Sequence, residues 1–287
     1  KEFEMTTQTP QQLGVCSWSM LPQNADDMAR IMGELGLKKL QLGLVPHRDD
    51  AGIVDGVPEA LEKVGARVVS GMFGTIGEDY TTMETIKVTG GIVPDEHWEA
   101  NQEVARGAAA RAKRFGLPAV MFHAGFLPHD MASAEFQKLA GRIEAVAGIF
   151  GEQGLDMMFE TGQETADDLW AFFDHMEERG VSNIGVNFDP ANMILYDKGE
   201  PIEALRKLLP RVKSIHIKDA VRTTTPGDWG AEVPVGEGQV DWHAFLSVLS
   251  EGGYTGDMHI EREGGDDRMG DAKQAIDVLT RVMAEVG

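Results

Sequence analysis

The regular alternation of short apolar runs with longer helical segments constrains the fold of this chain more than any other feature. Eight apolar runs have the length of buried strands, and they lie at residues 13–17, 40–45, 67–73, 119–123, 155–160, 184–189, 212–218 and 254–261. Several segments between them repeat apolar residues every three to four positions, as amphipathic helices do: 26–35, 134–150, 204–209, 242–249 and 272–286. Glycines suited to end a helix precede six of the runs: Gly36, Gly65, Gly116, Gly154, Gly180 and Gly253. This pattern predicts an α/β chain with a parallel sheet.

Eight strand–helix units in 287 residues predict a closed (β/α)8 TIM barrel rather than an open doubly wound sheet. Because no Pro-rich or Ser-rich linker interrupts the alternation, we expect residues 1–287 to form a single domain. The chain begins with Lys, and we expect residues 1–4 to be a remnant that precedes a native start at Met5. The insertion 74–94 after the third strand is rich in Thr, Gly and acids, and is expected to be a loop over the barrel mouth.

Composition excludes several classes of function. Acidic residues outnumber basic ones 47 to 26, so the net charge of −21 argues against a nucleic-acid partner. Neither a membrane span nor a signal-peptide core is evident, and the single cysteine, Cys16, excludes an internal disulfide, so we expect a cytoplasmic protein. Cys16 itself is interpreted as buried packing. No glycine-rich loop follows the first strand, which argues against a nucleotide cofactor.

Four successive predicted strands carry Glu160, Asp189, His216 and Glu261 at their carboxyl ends, where TIM barrels place their active sites. Any one of these side chains could be a strand-end charge that faces water. Three carboxylates buried together, however, are costly unless a cation compensates them. Carboxylates with an imidazole suit Mn²⁺, Mg²⁺, Co²⁺ or Fe²⁺, with Zn²⁺ as a further alternative. The pattern therefore predicts a site for one divalent metal ion.

With these motifs the chain resembles the xylose-isomerase-like TIM-barrel sugar (phosphate) isomerases and epimerases, which include tagatose/psicose 3-epimerases and inosose dehydratase. The resemblance spans nearly the whole chain and is strongest over residues 160–275. It implies that Glu160, Asp189, His216 and Glu261 bind the metal and that Arg222 contacts substrate hydroxyls. Many epimerases of the family have a histidine three residues after the metal-binding aspartate. Here Asn192 stands at that position, which gives the substrate pocket a neutral hydrogen-bonding group instead.

Further polar residues near the predicted strand ends are candidates for the substrate pocket. His123 could contact substrate or could be a hydrogen-bonded core histidine, and Gln163 could line the pocket beyond Glu160. Lys218 could meet an anionic substrate oxygen or pair with a neighbouring acid. His259 is expected to pack in the core or support the ligands, and Trp18 could form an apolar wall or belong to the core.

These residues predict a divalent-metal-dependent isomerase or epimerase of a sugar or keto-sugar, which acts by proton abstraction through a metal-bound enediolate. The resemblance implies that Glu160 and Glu261 are the catalytic residues, one removing the proton and the other returning it. The alternative is a metal-dependent dehydratase or lyase of a keto-sugar or keto-inositol, which Asn192 favours.

Two other interpretations fit the sequence less well. An endonuclease IV-like enzyme would need more histidines and a basic face, and an inactive sugar sensor would not need four intact ligands. We expect a small carbohydrate substrate and no membrane partner, and the sequence is compatible with a homo-oligomer.

Overall fold

A computed structural model of the protein describes residues 11–45, 51–225 and 227–286. The predicted remnant at residues 1–4 and the predicted start at Met5 lie outside the described residues.

Eight parallel strands close into a barrel within this described part of the chain, which confirms the predicted (β/α)8 fold. In barrel order they are β1 (Leu13–Cys16), β10 (Asp257–Ile260), β7 (Val212–Ile217), β6 (Ile184–Phe188), β5 (Asp156–Glu160), β4 (Ala119–Phe122), β3 (Arg67–Met72) and β2 (Lys39–Gly43). Hydrogen bonds between β1 and both β10 and β2 close the ring. Two short strands after β7, β8 (Asp219–Val221) and β9 (Ala231–Val233), form a separate antiparallel pair.

Helices connect the strands. They are α1 (Ser17–Met20), α2 (Ala25–Leu35), α3 (Ala51–Glu62), α4 (Met83–Thr89), α5 (Trp98–Arg114), α6 (Ala134–Gly151), α7 (Ala166–Glu178), α8 (Pro190–Leu195), α9 (Pro201–Leu208), α10 (Trp242–Glu251) and α11 (Arg268–Val286), with a 3-10 turn at Leu209–Arg211. Side-chain oxygens cap several of them, such as Asn24 on α2 and Ser133 on α6. No helix in the described ranges is long and apolar enough to cross a membrane.

The insertion at 74–94 differs from its prediction as a loop, because residues 83–89 form the helix α4. Thr82 and Thr85 exchange side-chain and backbone hydrogen bonds in a capping box, and Ile86 buries its side chain beneath the helix. The local cap and the buried contact together outweigh the Thr-rich and Gly-rich composition on which the loop prediction rested. Tyr80, just before α4, places its ring 6.4 Å from that of His123.

The strands end one residue or more before most of the predicted ends. His123, Asp189 and Glu261 therefore lie directly after β4, β6 and β10 instead of closing them. A cluster of Ala119, Met121 and Met158 forms a core separate from the main one, and Trp18 packs against it. The predicted functional side chains lie beyond this packing, at the carboxyl end of the barrel.

Candidate active site

Four buried side chains from adjacent strands converge at the carboxyl end of the barrel. Glu160 ends β5, Asp189 follows β6, His216 lies within β7, and Glu261 follows β10. Each offers one potential ligand atom, and these atoms all lie within 4.8 Å of one another. The cluster is thus made of the residues that the sequence predicts as metal ligands.

The ring of His216 lies at the centre of this cluster. Its Nδ1 atom is 2.5 Å from Glu160 Oε1, 3.4 Å from Glu261 Oε2 and 3.7 Å from Asp189 Oδ2. Within the described ranges, both His216 Nδ1 and Asp189 Oδ2 are buried without a hydrogen-bond partner. Buried polar atoms rarely lack a partner, and carboxylate oxygens with an imidazole nitrogen are ligands for a divalent cation. The cluster therefore fits a metal ion.

Local backbone structure explains how Asp189 presents one oxygen to the cluster. Asp189 is the N-cap of α8, and its Oδ1 accepts hydrogen bonds from the backbone N–H groups of Ala191 (2.8 Å) and Asn192 (3.0 Å). Pro190, the first residue of the helix, has no backbone N–H and therefore needs no acceptor. With Oδ1 committed to the helix, Oδ2 is the oxygen that faces His216. Burial is the main cause that raises the pKa of Asp189, to about 6.

His123 contacts Glu160, which places it in the cluster rather than in the apolar core. Its Nε2 atom lies 2.8 Å from Glu160 Oε2. Burial disfavours the charged imidazole, but the Glu160 carboxylate outweighs it and raises the pKa of His123 to about 9. Burial and the charge of Glu261 act to raise the pKa of Glu160, but His216 and His123 outweigh them and hold this pKa below its usual value. The two side chains therefore form an ion pair at neutral pH.

Lys218 provides a second cation, on the Glu261 side of the cluster. Its Nζ atom lies 2.9 Å from Glu261 Oε2, 2.5 Å from Glu263 Oε2 and 4.0 Å from Asp189 Oδ2. Burial opposes its charge, but Glu261 and Glu263 outweigh it and raise its pKa well above the usual value. The indole N–H of Trp18 donates to Glu261 Oε1 at 2.8 Å, so both oxygens of Glu261 are engaged. The sequence analysis considered Trp18 as an apolar wall or a core residue and not as a hydrogen-bond donor to Glu261, and it did not consider Glu263.

Two other predicted substrate-binding residues lie beside the cluster. Gln163 is buried and lines a cavity of about 20 Å³ with His123, Glu160 and neighbouring residues. Asn192 is buried against the loop after β5, where a Cβ atom on Gly162 would lie 2.6 Å from the Asn192 Cβ. Gly162 also has a φ of +143°, so this close approach requires glycine.

Arg222 lies apart from the cluster. Its guanidinium group contacts the carboxylates of Asp197 and Glu200 and the carbonyl oxygen of Gly199 (3.0 Å). Arg222 directly follows β8, the first strand of the separate antiparallel pair. Its side chain points toward Asp197 and Glu200. A contact between Arg222 and substrate stays a prediction from the resemblance.

Behind the cluster lie His259, which the sequence analysis expected to pack in the core or support the ligands, and Cys16, which it interpreted as buried packing. His259 is fully buried beside Ser214, whose hydroxyl lies 3.3 Å from His259 Nδ1. Burial is the main cause that lowers the pKa of His259, to about 3. Cys16 lies closer to the site than expected, with its Sγ 3.6 Å from His216 Nε2. Burial raises the pKa of this thiol to about 12, so it stays protonated.

Comparison with known proteins agrees with this architecture. The family described as "Xylose isomerase-like TIM barrel" matches residues 3–282. The chain belongs to this family. A xylose isomerase domain protein from Planctomyces limnophilus has 31% sequence identity, with a TM-score of 0.84 over 96% of this chain and 97% of that protein.

Other relatives include both epimerases and dehydratases. Inosose dehydratase 1 from Bacillus cereus is 26% identical over 145 residues, which cover 45% of this chain and 47% of that enzyme. The match thus spans about half the length of this relative. A D-allulose 3-epimerase from Methylomonas sp. has a TM-score of 0.68 and 16% identity, over 96% of this chain and 99% of that one. A family protein from Mycobacterium smegmatis in complex with magnesium has a TM-score of 0.69 and 18% identity, over 96% and 97%.

Proposed function

We propose that this chain is a divalent-metal-dependent isomerase or epimerase of a keto-sugar. The observation that carries the proposal is a pair of buried carboxylates, Glu160 and Glu261, on two sides of His216, each with its own cation. Glu160 pairs with His123, and Glu261 pairs with Lys218. Two separately supported carboxylates suit a reaction in which one side chain removes a proton and the other returns one.

The metal is part of the proposal because the donor atoms fit it. Glu160, Asp189, His216 and Glu261 would hold the ion. Asp189 Oδ2 and His216 Nδ1 support that assignment, since both are buried and neither makes a hydrogen bond within the described residues. A bound divalent ion acts as a Lewis acid toward neighbouring carbonyl and hydroxyl oxygens, which acidifies the adjacent C–H bond. Mn²⁺, Mg²⁺ and Co²⁺ are the first ions to test, because carboxylate-rich sites suit them.

The two oxygens of Glu160 suggest how the proton is moved. Oε1 faces His216 Nδ1, so we assign Oε2 as the acceptor of the carbon-bound proton. His123 Nε2 now donates to Oε2, and substrate would have to take the place of that contact. The electron pair of the broken C–H bond forms an enediolate. The pKa of Glu261 is held well below its usual value, so the proton that it delivers would come from Lys218, whose Nζ lies 2.9 Å from Glu261 Oε2. Delivery of that proton to the opposite face of the same carbon gives an epimer. Delivery to the neighbouring carbon, with a hydroxyl proton moved between the two oxygens, gives an isomer. Glu160 then releases its proton to water, and Lys218 regains one.

A dehydratase or lyase acting on a keto-sugar or keto-inositol is the second candidate. Asn192 offers a neutral amide where many epimerases of the family have a histidine, and inosose dehydratases are among the relatives. Lys218 is a buried ammonium group beside Glu261 and could donate a proton to a departing hydroxyl group. The same first proton abstraction would then end in loss of water.

One experiment tests both candidates. The protein with Mn²⁺ is incubated with a panel of keto-sugars and keto-inositols in deuterated water and followed by NMR. Deuterium incorporation with formation of an epimer or isomer supports the first candidate, and an α,β-unsaturated product with ultraviolet absorbance supports the second. Glu160→Gln is the matched control and should abolish exchange. If no panel member exchanges deuterium or reacts with Mn²⁺, Co²⁺ or Mg²⁺ present, the proposed function is wrong.

A further inference from the structure

The buried side-chain amide of Gln41 contacts the Nε2 edge of the His216 ring, whereas the Nδ1 edge faces the carboxylates. Gln41 lies on β2 between Leu40 and Leu42, and none of its surface is exposed. Its Oε1 atom is 2.6 Å from His216 Nε2, across the barrel interior and 175 residues away in sequence. The same oxygen accepts a hydrogen bond from Cys16 Sγ at 3.4 Å.

The chemistry of an amide oxygen determines where the proton of His216 lies. Gln41 Oε1 carries no hydrogen, so it can only accept, and His216 Nε2 must be the nitrogen that holds a proton. The Cys16 thiol also donates to this oxygen, which agrees with the same assignment. Without metal, burial opposes the charge of His216, but Glu261 and the other neighbours outweigh it and raise its pKa well above the usual value, so Nδ1 is protonated as well. The form that binds a cation is the neutral imidazole, which has one N–H, so its lone pair is then on Nδ1. That atom faces Glu160, Asp189 and Glu261.

We propose that Gln41 is a positioning residue, which holds the His216 ring in the tautomer and orientation that a divalent cation needs. An imidazole binds metal through an unprotonated nitrogen, and a hydrogen bond from its other nitrogen fixes the ring. In the described part of the chain, Gln41 Nε2 has no hydrogen-bond partner, so the hydrogen bonds of this buried amide converge on Oε1. The inference rests on the metal of the proposed function, and Gln41 is not among the residues to which the family resemblance assigns a role.

Metal affinity provides the first test. Gln41→Met keeps a side chain of similar length but removes the acceptor, and Mn²⁺ and Mg²⁺ binding is measured by titration calorimetry. Loss of such a partner weakens metal binding by roughly 10–100-fold, and we expect a change of that size. Cys16→Ala is the matched control, because it removes the other donor from the same pocket. If metal binding depends on the hydrogen bond between Gln41 and His216, Cys16→Ala should leave the metal affinity within about twofold of that of the unmodified protein.

NMR of histidine-¹⁵N-labelled protein is the second readout, with and without Mg²⁺. In the unmodified protein, two-bond ¹H–¹⁵N correlations should show a hydrogen-bonded proton on His216 Nε2 in both states. Gln41→Met should lose that hydrogen-bonded signal. Gln41→Glu keeps an acceptor at the same position and should restore it, which separates positioning from packing.

The outcomes decide the inference independently of activity. Unchanged metal affinity in folded Gln41→Met, or a proton on Nδ1 in the Mg²⁺-loaded protein, overturns it. If Gln41→Met does not fold, failure of folded Gln41→Glu to retain the Nε2 proton overturns it instead. A protein that binds metal but converts no sugar contradicts only the proposed function. A protein that binds no metal at all contradicts both.

Discussion

Replacement of Lys218 by Met tests whether the buried ammonium group neutralises the carboxylates of the cluster. Methionine keeps the length and apolar stem of lysine but removes the charge. The Lys218 side chain is 2% exposed and that of Glu261 is 4% exposed, so water cannot replace the lost cation. Removal of one partner from a buried ion pair costs about 3–5 kcal/mol. We expect the metal-free variant to lose about that much unfolding free energy near pH 8.

The pH dependence of this loss has a definite sign. His216 and Lys218 overcome burial and hold the pKa of Glu261 well below its usual value, so Glu261 stabilises the folded protein above its unfolded pKa. In Lys218→Met this pKa rises, and protonation of Glu261 then removes the uncompensated charge. The loss of unfolding free energy in Lys218→Met should therefore become smaller as the pH falls from 8 toward 5. Mn²⁺ should also make this loss smaller, because the ion brings positive charge to the same carboxylates.

Thermal and chemical unfolding of the metal-free and Mn²⁺-loaded proteins measure these effects. A loss of 3–5 kcal/mol corresponds to a fall in melting temperature of roughly 5–8 °C for a chain of this size. Lys213→Met is the matched control, because Lys213 lies on β7 and Lys218 directly follows that strand. Lys213 Nζ lies 2.7 Å from Asp156 Oδ2, but the two side chains are 35% and 39% exposed, so its loss should cost under about 1 kcal/mol. Equal losses in the two variants, or a Lys218→Met deficit that does not change with pH, would refute the reasoning.

Three further predictions follow from the site. Glu160→Gln and Glu261→Gln should reduce turnover by roughly 10²–10⁴-fold even at saturating Mn²⁺, since an amide cannot accept the substrate proton. Asp189→Asn should lose less turnover, because Asp189 has no assigned role in proton transfer. Equal losses in all three would mean that the glutamates act only as ligands. Arg222→Ala should leave Mn²⁺ affinity by calorimetry unchanged, because its guanidinium contacts acids outside the cluster, and weaker binding would contradict this placement. Glu164 lines the small cavity beside Gln163, and its Oε1 accepts a hydrogen bond from the backbone N–H of Leu127 at 2.9 Å. Burial raises the pKa of Glu164 to about 7, so the folded protein loses stability as the pH rises from about 4.5 to 7. Glu164→Gln should gain about 3 kcal/mol at pH 8 and nothing at pH 4, as measured by urea unfolding.

Local patterns in the sequence are enough to predict the barrel and the types of residue at its strand ends. Strand and helix periodicities are properties of neighbouring residues, and parallel strands joined by helices place their carboxyl ends at one face. That reasoning selects Glu160, Asp189, His216 and Glu261 without knowledge of any distance, and the structure brings them together. The same local reasoning misjudged residues 83–89, where the capping box and a buried isoleucine make a helix in a segment of loop-like composition.

The partners of those four residues depend on closure of the barrel. Gln41 and Trp18 lie at least 175 residues before the side chains that they contact, His216 and Glu261, and no periodicity relates positions so far apart. Contacts of this kind exist only after β1 and β2 have met β10 and β7 across the ring. The direction taken by Arg222 is likewise decided by tertiary contacts, because its partners Asp197 and Glu200 lie 25 and 22 residues earlier in the chain. Residue types, their strand positions and the N-cap hydrogen bonds of Asp189 are thus encoded locally. The hydrogen bonds that Gln41 and Trp18 make with His216 and Glu261 arise only from tertiary packing.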